Sequence, residues 1–140
     1  MSKLVTDWMF PMDLVYYLRP GDLVVFDRGA YQHWGVFIGR EEHQGKRVNK
    51  VIHLVPVAGS RSAGTSRQAT VVKESLKEVA AGGKVRLDNS KDFYQRPFDG
   101  ASVVLRARRE LRMAKERTYD MFFGNAELFA CFCRYGKDRF

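Results

Sequence analysis

Two histidines on candidate strands, His33 in Gln32-His33-Trp34-Gly35-Val36 and His53 in Val51-Ile52-His53-Leu54, are the side chains best suited to moving a proton. One imidazole can act as a general base while a second polar ring orients it. Further on, Asn125-Ala126-Glu127-Leu128-Phe129 opens a segment with helical spacing, for which Asn125 is a good N-cap. A cysteine at position 126 would lie in the first turn of that helix, where unpaired N–H groups and the helix dipole favour a thiolate. His33 would take its proton, His53 would orient His33, and the amides of the helix start would hold an oxyanion. Alanine, the residue present at 126, can do none of this. Cys133 lies about two helical turns, roughly 10 Å, further along the same axis, too far to serve the same base. His43, in a polar stretch, reads as solvated.

These residues need a sheet and a helix to bring them together. Arg19-Pro20-Gly21-Asp22 is a turn and Leu23 to Phe26 a β-branched strand run. From Gln32 to Ile38 the pattern alternates: Trp34, Val36 and Ile38 share one face, His33, Gly35 and Phe37 the other. Val48 to Val55 returns as a strand with Val51, His53 and Val55 together, so an antiparallel hairpin brings His33 beside His53. Arg40 to Lys50 reads as its exposed loop, and Val57 to Thr70, rich in Ser, Gly, Ala and Arg, as a mobile lid-like loop. Ala69 to Val72 and Lys84 to Leu87 are strand candidates. Lys73 to Ala80 reads as a short helical turn or loop broken by Ala81-Gly82-Gly83, and Asp88 to Gly100 as irregular. The clearest helix is Ala101 to Thr118, with Val104, Ala107, Leu111 and Ala114 inward and Asp99 or Ser102 as cap. Tyr119 to Phe123 links it to a helix from Asn125 to about Tyr135, with Gly136 at C′. Residues 1–19 form an extension with a short helix around Asp13–Leu18; residues 20–140 form the domain.

A chain of 140 residues with 45% hydrophobic content is one ordered domain with a real core. The apolar patch Trp8 to Met12 is too short for a membrane span and lacks the features of a signal peptide. Cys131 and Cys133 cannot bridge each other on a helix, and two thiols make no zinc site. No metal or cofactor is expected, and a reducing cytoplasmic setting is. The net charge of +8 is concentrated around Arg106, Arg109, Arg112 and Lys115. That patch suits anionic phospholipid headgroups at a membrane surface, or RNA, unless it is simply a solvated helix face.

In order and spacing, these segments resemble the lecithin:retinol acyltransferase family, which includes the HRAS-like suppressor phospholipases/acyltransferases and the H-box/NC type of picornaviral 2A protein. Gln32 to Val36 is similar to the family's His box, Val51 to Leu54 to its second His segment, and Asn125 to Phe129 to its Asn-Cys-Glu-His-Phe motif. Pro20 to Leu23, Ala69 to Lys73, Val85 to Asn89 and Cys133 to Gly136 are similar to its remaining segments. The resemblance implies an α+β, circularly permuted papain-like (NlpC-type) domain, an antiparallel sheet packed by helices. It implies cysteine-dependent phospholipid acyl transfer or phospholipase A chemistry, with His33, His53, Asn125 and the position of Ala126 as the site. Two departures stand out: Ala126 replaces the nucleophile and Leu128 the usual His. Arg40 to Lys50 is longer than in the short phospholipase forms. The other role compatible with the resemblance is a non-catalytic module binding membrane, RNA or a host protein.

Overall fold

The structure is a computed structural model that describes residues 4–57, 67–115, 119–121 and 125–136. Its centre is an antiparallel sheet of β1 (Leu23–Asp27), β2 (Gln32–His43), β3 (Lys46–Pro56), β4 (Arg67–Ser75), β5 (Val85–Leu87) and β6 (Tyr119–Met121), in the order β5-β1-β2-β3-β4-β6. With helices on both faces this is an α+β architecture.

The alternation read from the sequence sorts two cores. Leu23, Val25, Trp34, Val36, Ile38, Ile52, Leu54 and Val71 point to one face, where α3 (Gly100–Met113) and α4 (Asn125–Tyr135) cover them with Val103, Ala107, Phe129 and Cys133. Val24, Phe26, Phe37, Val51 and Leu87 point to the other, beneath α1 (Pro11–Leu14) and α2 (Leu76–Ala80). Fully buried side chains such as Phe26, Ile52, Leu54 and Phe129 each contribute about 1.5–3 kcal/mol. In α3 the inward stripe includes Val103, which is fully buried, while Val104, Leu111 and Ala114 sit at its margin.

Several elements differ from expectation. The stretch from Arg40 to Lys50 is not a loop: after a one-residue register shift between Phe37 and Gly39 the two strands stay paired to His43↔Lys46 and turn only through Gln44-Gly45. Both turn residues have positive φ, 51° and 78°, the two-residue hairpin geometry whose twist matches the strands. His43 is a strand residue, exposed as read. β4 continues through Lys73 and Glu74 to Ser75, where α2 begins. The Ser75 hydroxyl accepts from the Glu78 amide at 3.0 Å and donates to the Glu78 carboxylate at 3.0 Å. Ser75 is thus the N-cap of α2, at the Ser-x-x-Glu spacing of a capping box, with the Glu78 carboxylate taking the hydroxyl proton in place of the cap's backbone N–H. Tyr119–Met121 is not a linker but an edge strand on Arg67–Ala69 of β4. Asn125, expected as a cap, is the first residue of α4. A short 3₁₀ turn, Ser90–Phe93, lies in the irregular segment before α3, and Asp99 is the cap of α3, accepting from the Ser102 amide at 2.9 Å. The lid-like reading of Val57 to Thr70 falls mostly on residues 58–66, outside those described. The long helix is shorter than expected: α3 ends at Met113 with Ala114 as its C-cap and turns at Ala114-Lys115, instead of running on to Thr118.

The extension also packs. Its helix starts earlier than Asp13, at Pro11, whose fixed φ suits a first helical position. Met9 pairs with Val85 and Val5 with Asp88 along the β5 edge, and Leu14 is fully buried in the second core.

Candidate active site

β2 and β3 are adjacent, with Val36 opposite Ile52, so Gly35 stands opposite His53 and His33 lies diagonally across from it. A diagonal of this kind is within reach of ring side chains. His33 Nε2 and His53 Nδ1 are 2.7 Å apart, and the rings meet edge to face with centroids 5.0 Å apart. The absence of a side chain at Gly35 makes room: a Cβ there would come within 3.3 Å of His53 Cβ. Phe26, paired with His33 on β1, packs its ring 5.8 Å from the imidazole and walls the pair off.

β4 supplies a third member that sequence reading missed. His53 Nε2 lies 2.9 Å from Glu74 Oε1. Val72 is opposite His53, so Glu74 is again the diagonal neighbour on the same face. The signal is the alternation Val72-Lys73-Glu74, hidden because the charged pair Lys73-Glu74 reads as the start of a turn after Val72, whereas β4 stays paired to Ser75.

Burial settles the charge. His33 and His53 are 8% and 3% exposed. Desolvation, with contributions from each other's ring and from Arg28, holds the His33 pKa down to about 3. Desolvation and Arg28 hold His53 down to about 4. Both imidazoles are neutral at pH 7, and each then has one N–H and one lone pair. The Glu74 carboxylate accepts from His53 Nε2–H. His53 Nδ1 therefore carries a lone pair and accepts from His33 Nε2–H. The remaining lone pair of the chain falls on His33 Nδ1, so hydrogen bonding selects both tautomers and leaves that nitrogen able to accept a proton.

Ala126 and Asn125 are buried at the start of α4. β6, just before α4, pairs with the same end of β4 that lies beside Pro56 and the histidines. The other end of α4 reaches the start of β1, where Arg134 Nη1 donates to the Gly21 carbonyl at 2.9 Å. The helix thus begins at the histidine end of the sheet. Ala126 packs among the residues of one face and the imidazoles leave the other. His33 Nδ1, the ring nitrogen nearest its own backbone, is the one that His53 does not engage. Leu128 is 37% exposed, a surface position of α4. The two real thiols are no substitute: burial pushes both Cys131 and Cys133 pKa values up, against the pull of Lys91 on the first and Arg106 on the second.

The basic residues separate into two groups. Arg106 is turned inward: Nε donates to the Cys133 carbonyl at 3.1 Å and Nη2 to that of Phe132 at 2.9 Å, with the guanidinium 4.6 Å from each of the Phe98 and Phe132 rings. It closes the end of α4. Arg109, Arg112 and Lys115 are exposed. Among the described residues, no cluster of His, Cys, Asp and Glu is placed to hold a metal, and no helix is long and apolar enough to cross a membrane.

The fold and the paired histidines define a class, and comparison with known sequences agrees. The profile of the family described as lecithin retinol acyltransferase matches residues 16–139, and the chain belongs to that family. It is similar to mouse phospholipase A and acyltransferase 1, 32% identical over 125 residues that cover 85% of this chain and 69% of the relative. It is also similar to human phospholipase A and acyltransferase 2 and 3, each 31% identical over 128 residues, covering 86% of this chain and 73% of each relative.

Proposed function

We propose that this protein is an acyl-transfer domain of the phospholipase/acyltransferase lineage arrested at its nucleophile. It binds phospholipid at a membrane surface from the cytoplasm and does not turn it over. The observation that supports this reading is the chain of hydrogen bonds from Glu74 through His53 to His33, which leaves one lone pair on His33 Nδ1.

In a chain with cysteine at position 126, the thiol proton passes to His33 Nδ1 around the end of the sheet that both approach, directly or through one water, and the thiolate attacks the ester carbonyl of a phospholipid. The N–H groups of the α4 start hold the oxyanion. The C–O bond to the glycerol oxygen then breaks, and that oxygen leaves with the proton from His33. The acyl chain remains as a thioester, which water or an amine resolves. The imidazolium that forms is stabilised through His53 by Glu74, as in papain-like sites. Ala126 stops the sequence before its first step, while lipid binding remains. The exposed Arg109, Arg112 and Lys115 supply cationic contact to headgroups.

A second reading draws on Leu128. It is exposed on α4 where the family motif has His. Loss of two motif residues, one of them at the surface, suits a module of the same fold that has moved to binding a host protein or RNA.

The test compares the present chain with Ala126→Cys, each incubated with phosphatidylcholine vesicles and read by intact mass. An acyl adduct on Ala126→Cys alone, lost when His33→Ala is added, is the expected result. No adduct on either folded protein would sink the acyl-transfer reading and leave the binding module.

A further inference from the structure

Away from the histidines, on the opposite end of the α1/α2 face, α1, the start of α2 and the β2–β3 hairpin enclose an open groove of about 700 Å³. That is within the roughly 300–1,000 Å³ typical of small-ligand sites. Its walls are apolar: Phe10, Met12 and Val15 from the N-terminal arm, Val48 from β3 and Leu76 from α2. Leu76 is 2% exposed and forms the floor, whereas Met12 is 75% and Phe10 50% exposed at the rim. A monomer that leaves two large apolar side chains beside an apolar cavity has an unmet surface.

The charges of the lining have one sign. Arg47 and Lys77 line the groove, and among the described residues no carboxylate does. Glu42 stands opposite Arg47 in the hairpin register but lies outside the lining, and Glu78 is engaged with the Ser75 hydroxyl. Lys84, outside the lining, lies over the ring of the lining residue Phe10, 5.5 Å from its centroid. An apolar slot rimmed by cations matches a ligand with an apolar chain and one anionic head.

We propose that this groove binds a single-chain anionic amphiphile, a medium- to long-chain fatty carboxylate. The chain lies between Met12 and Leu76, and the carboxylate pairs with Arg47 and Lys77. The site is separate from the histidine pair and does not depend on the acyl-transfer reading.

The experiment is calorimetric titration of the full chain with laurate below its micelle concentration, beside dodecyltrimethylammonium and phosphatidylglycerol vesicles. One laurate per chain, bound at least tenfold more tightly than the cation, is expected. Arg47→Glu with Lys77→Glu should weaken laurate at least tenfold, and Met12→Asp should do the same from the apolar side. All three positions are at or near the surface, and circular dichroism shows whether each variant is folded. No saturable laurate binding, equal affinity for the cation, or affinity unchanged in both variants overturns the proposal. Binding to vesicles without binding to monomeric laurate overturns it in favour of a membrane surface.

Discussion

Glu74 and His53 come from adjacent strands and meet diagonally, the carboxylate accepting the Nε2 proton at 2.9 Å. That contact decides which nitrogen of His53 faces His33, and through it which nitrogen of His33 carries a lone pair. Glu74→Leu should release the constraint. Nitrogen-15 NMR of the histidine rings at pH 7 should show His53 protonated at Nε2 in the parent chain and a mixed or Nδ1 tautomer in the variant. An unchanged His53 spectrum would remove Glu74 from the relay.

Stability should fall on mild acidification. His33 and His53 have folded pKa values of about 3 and about 4, below their unfolded value near 6.5. Between these limits the unfolded chain binds more protons, so unfolding free energy rises with pH. The contribution is complete above about pH 6.5 and is lost as the pH falls through the window towards 4 and then 3. Each histidine adds a slope of at most about 1.4 kcal/mol per pH unit. Urea unfolding at pH 7 and pH 5 should show the loss, and His53→Gln should reduce the slope by about half. A flat profile would mean that the imidazoles are not held neutral.

Gly35→Ala should destabilise. The new methyl would press on His53 Cβ at 3.3 Å, tighter than ordinary contact, with Phe26 Cε2 at 3.5 Å on the same side. Overpacking of this kind costs about 1–3 kcal/mol. Thermal unfolding measures it, and a neutral effect would show that β2 and β3 can separate locally.

Arg106 and its neighbours should part company. Arg106→Ala removes two charge-assisted bonds to the last carbonyls of α4 and should cost about 2 kcal/mol. Arg109→Ala with Arg112→Ala should stay within about 0.5 kcal/mol per site. That double variant should instead lower the affinity for anionic vesicles, read by co-sedimentation at low and high salt. Equal destabilisation by both sets would contradict the division.

Asp92→Ala should be the costliest of these changes. Asp92 takes two bonds from Arg134, at 3.0 and 2.6 Å, and one from the Tyr135 hydroxyl at 2.7 Å, while Arg134 also holds the Gly21 carbonyl. Both side chains are nearly buried, at 10% and 12%. Leaving the guanidinium without its carboxylate should cost about 3 kcal/mol. Chemical denaturation tests it, and a loss below 1 kcal/mol would show that water replaces the carboxylate.

Much of the arrangement follows from local pattern. Period-two alternation from His33 to Ile38 and from Val51 to Val55 assigns faces to both histidines without any coordinates, because side chains in a strand can point only two ways. The motif order, the terminating Gly136 at φ 75° and the Asp99 cap are equally local. That alanine stands at position 126, where the resembled motif has cysteine, is read from the sequence alone. What required the tertiary structure is everything carried by partners distant in the chain. The Arg40 to Lys50 stretch is polar and reads as loop, yet cross-strand hydrogen bonding extends it as sheet down to Gln44-Gly45. Glu74 joins the histidines only because β4 lies against β3. Arg106 leaves the basic face because two phenylalanine rings and two carbonyls offer it a better environment than water. The arm before Arg19 gains its place only from the edge of β5 and the apolar face beneath it. Local pattern sets which way a residue points. Which strand or helix stands there to meet it depends on how the whole chain closes on itself, and that is decided by packing.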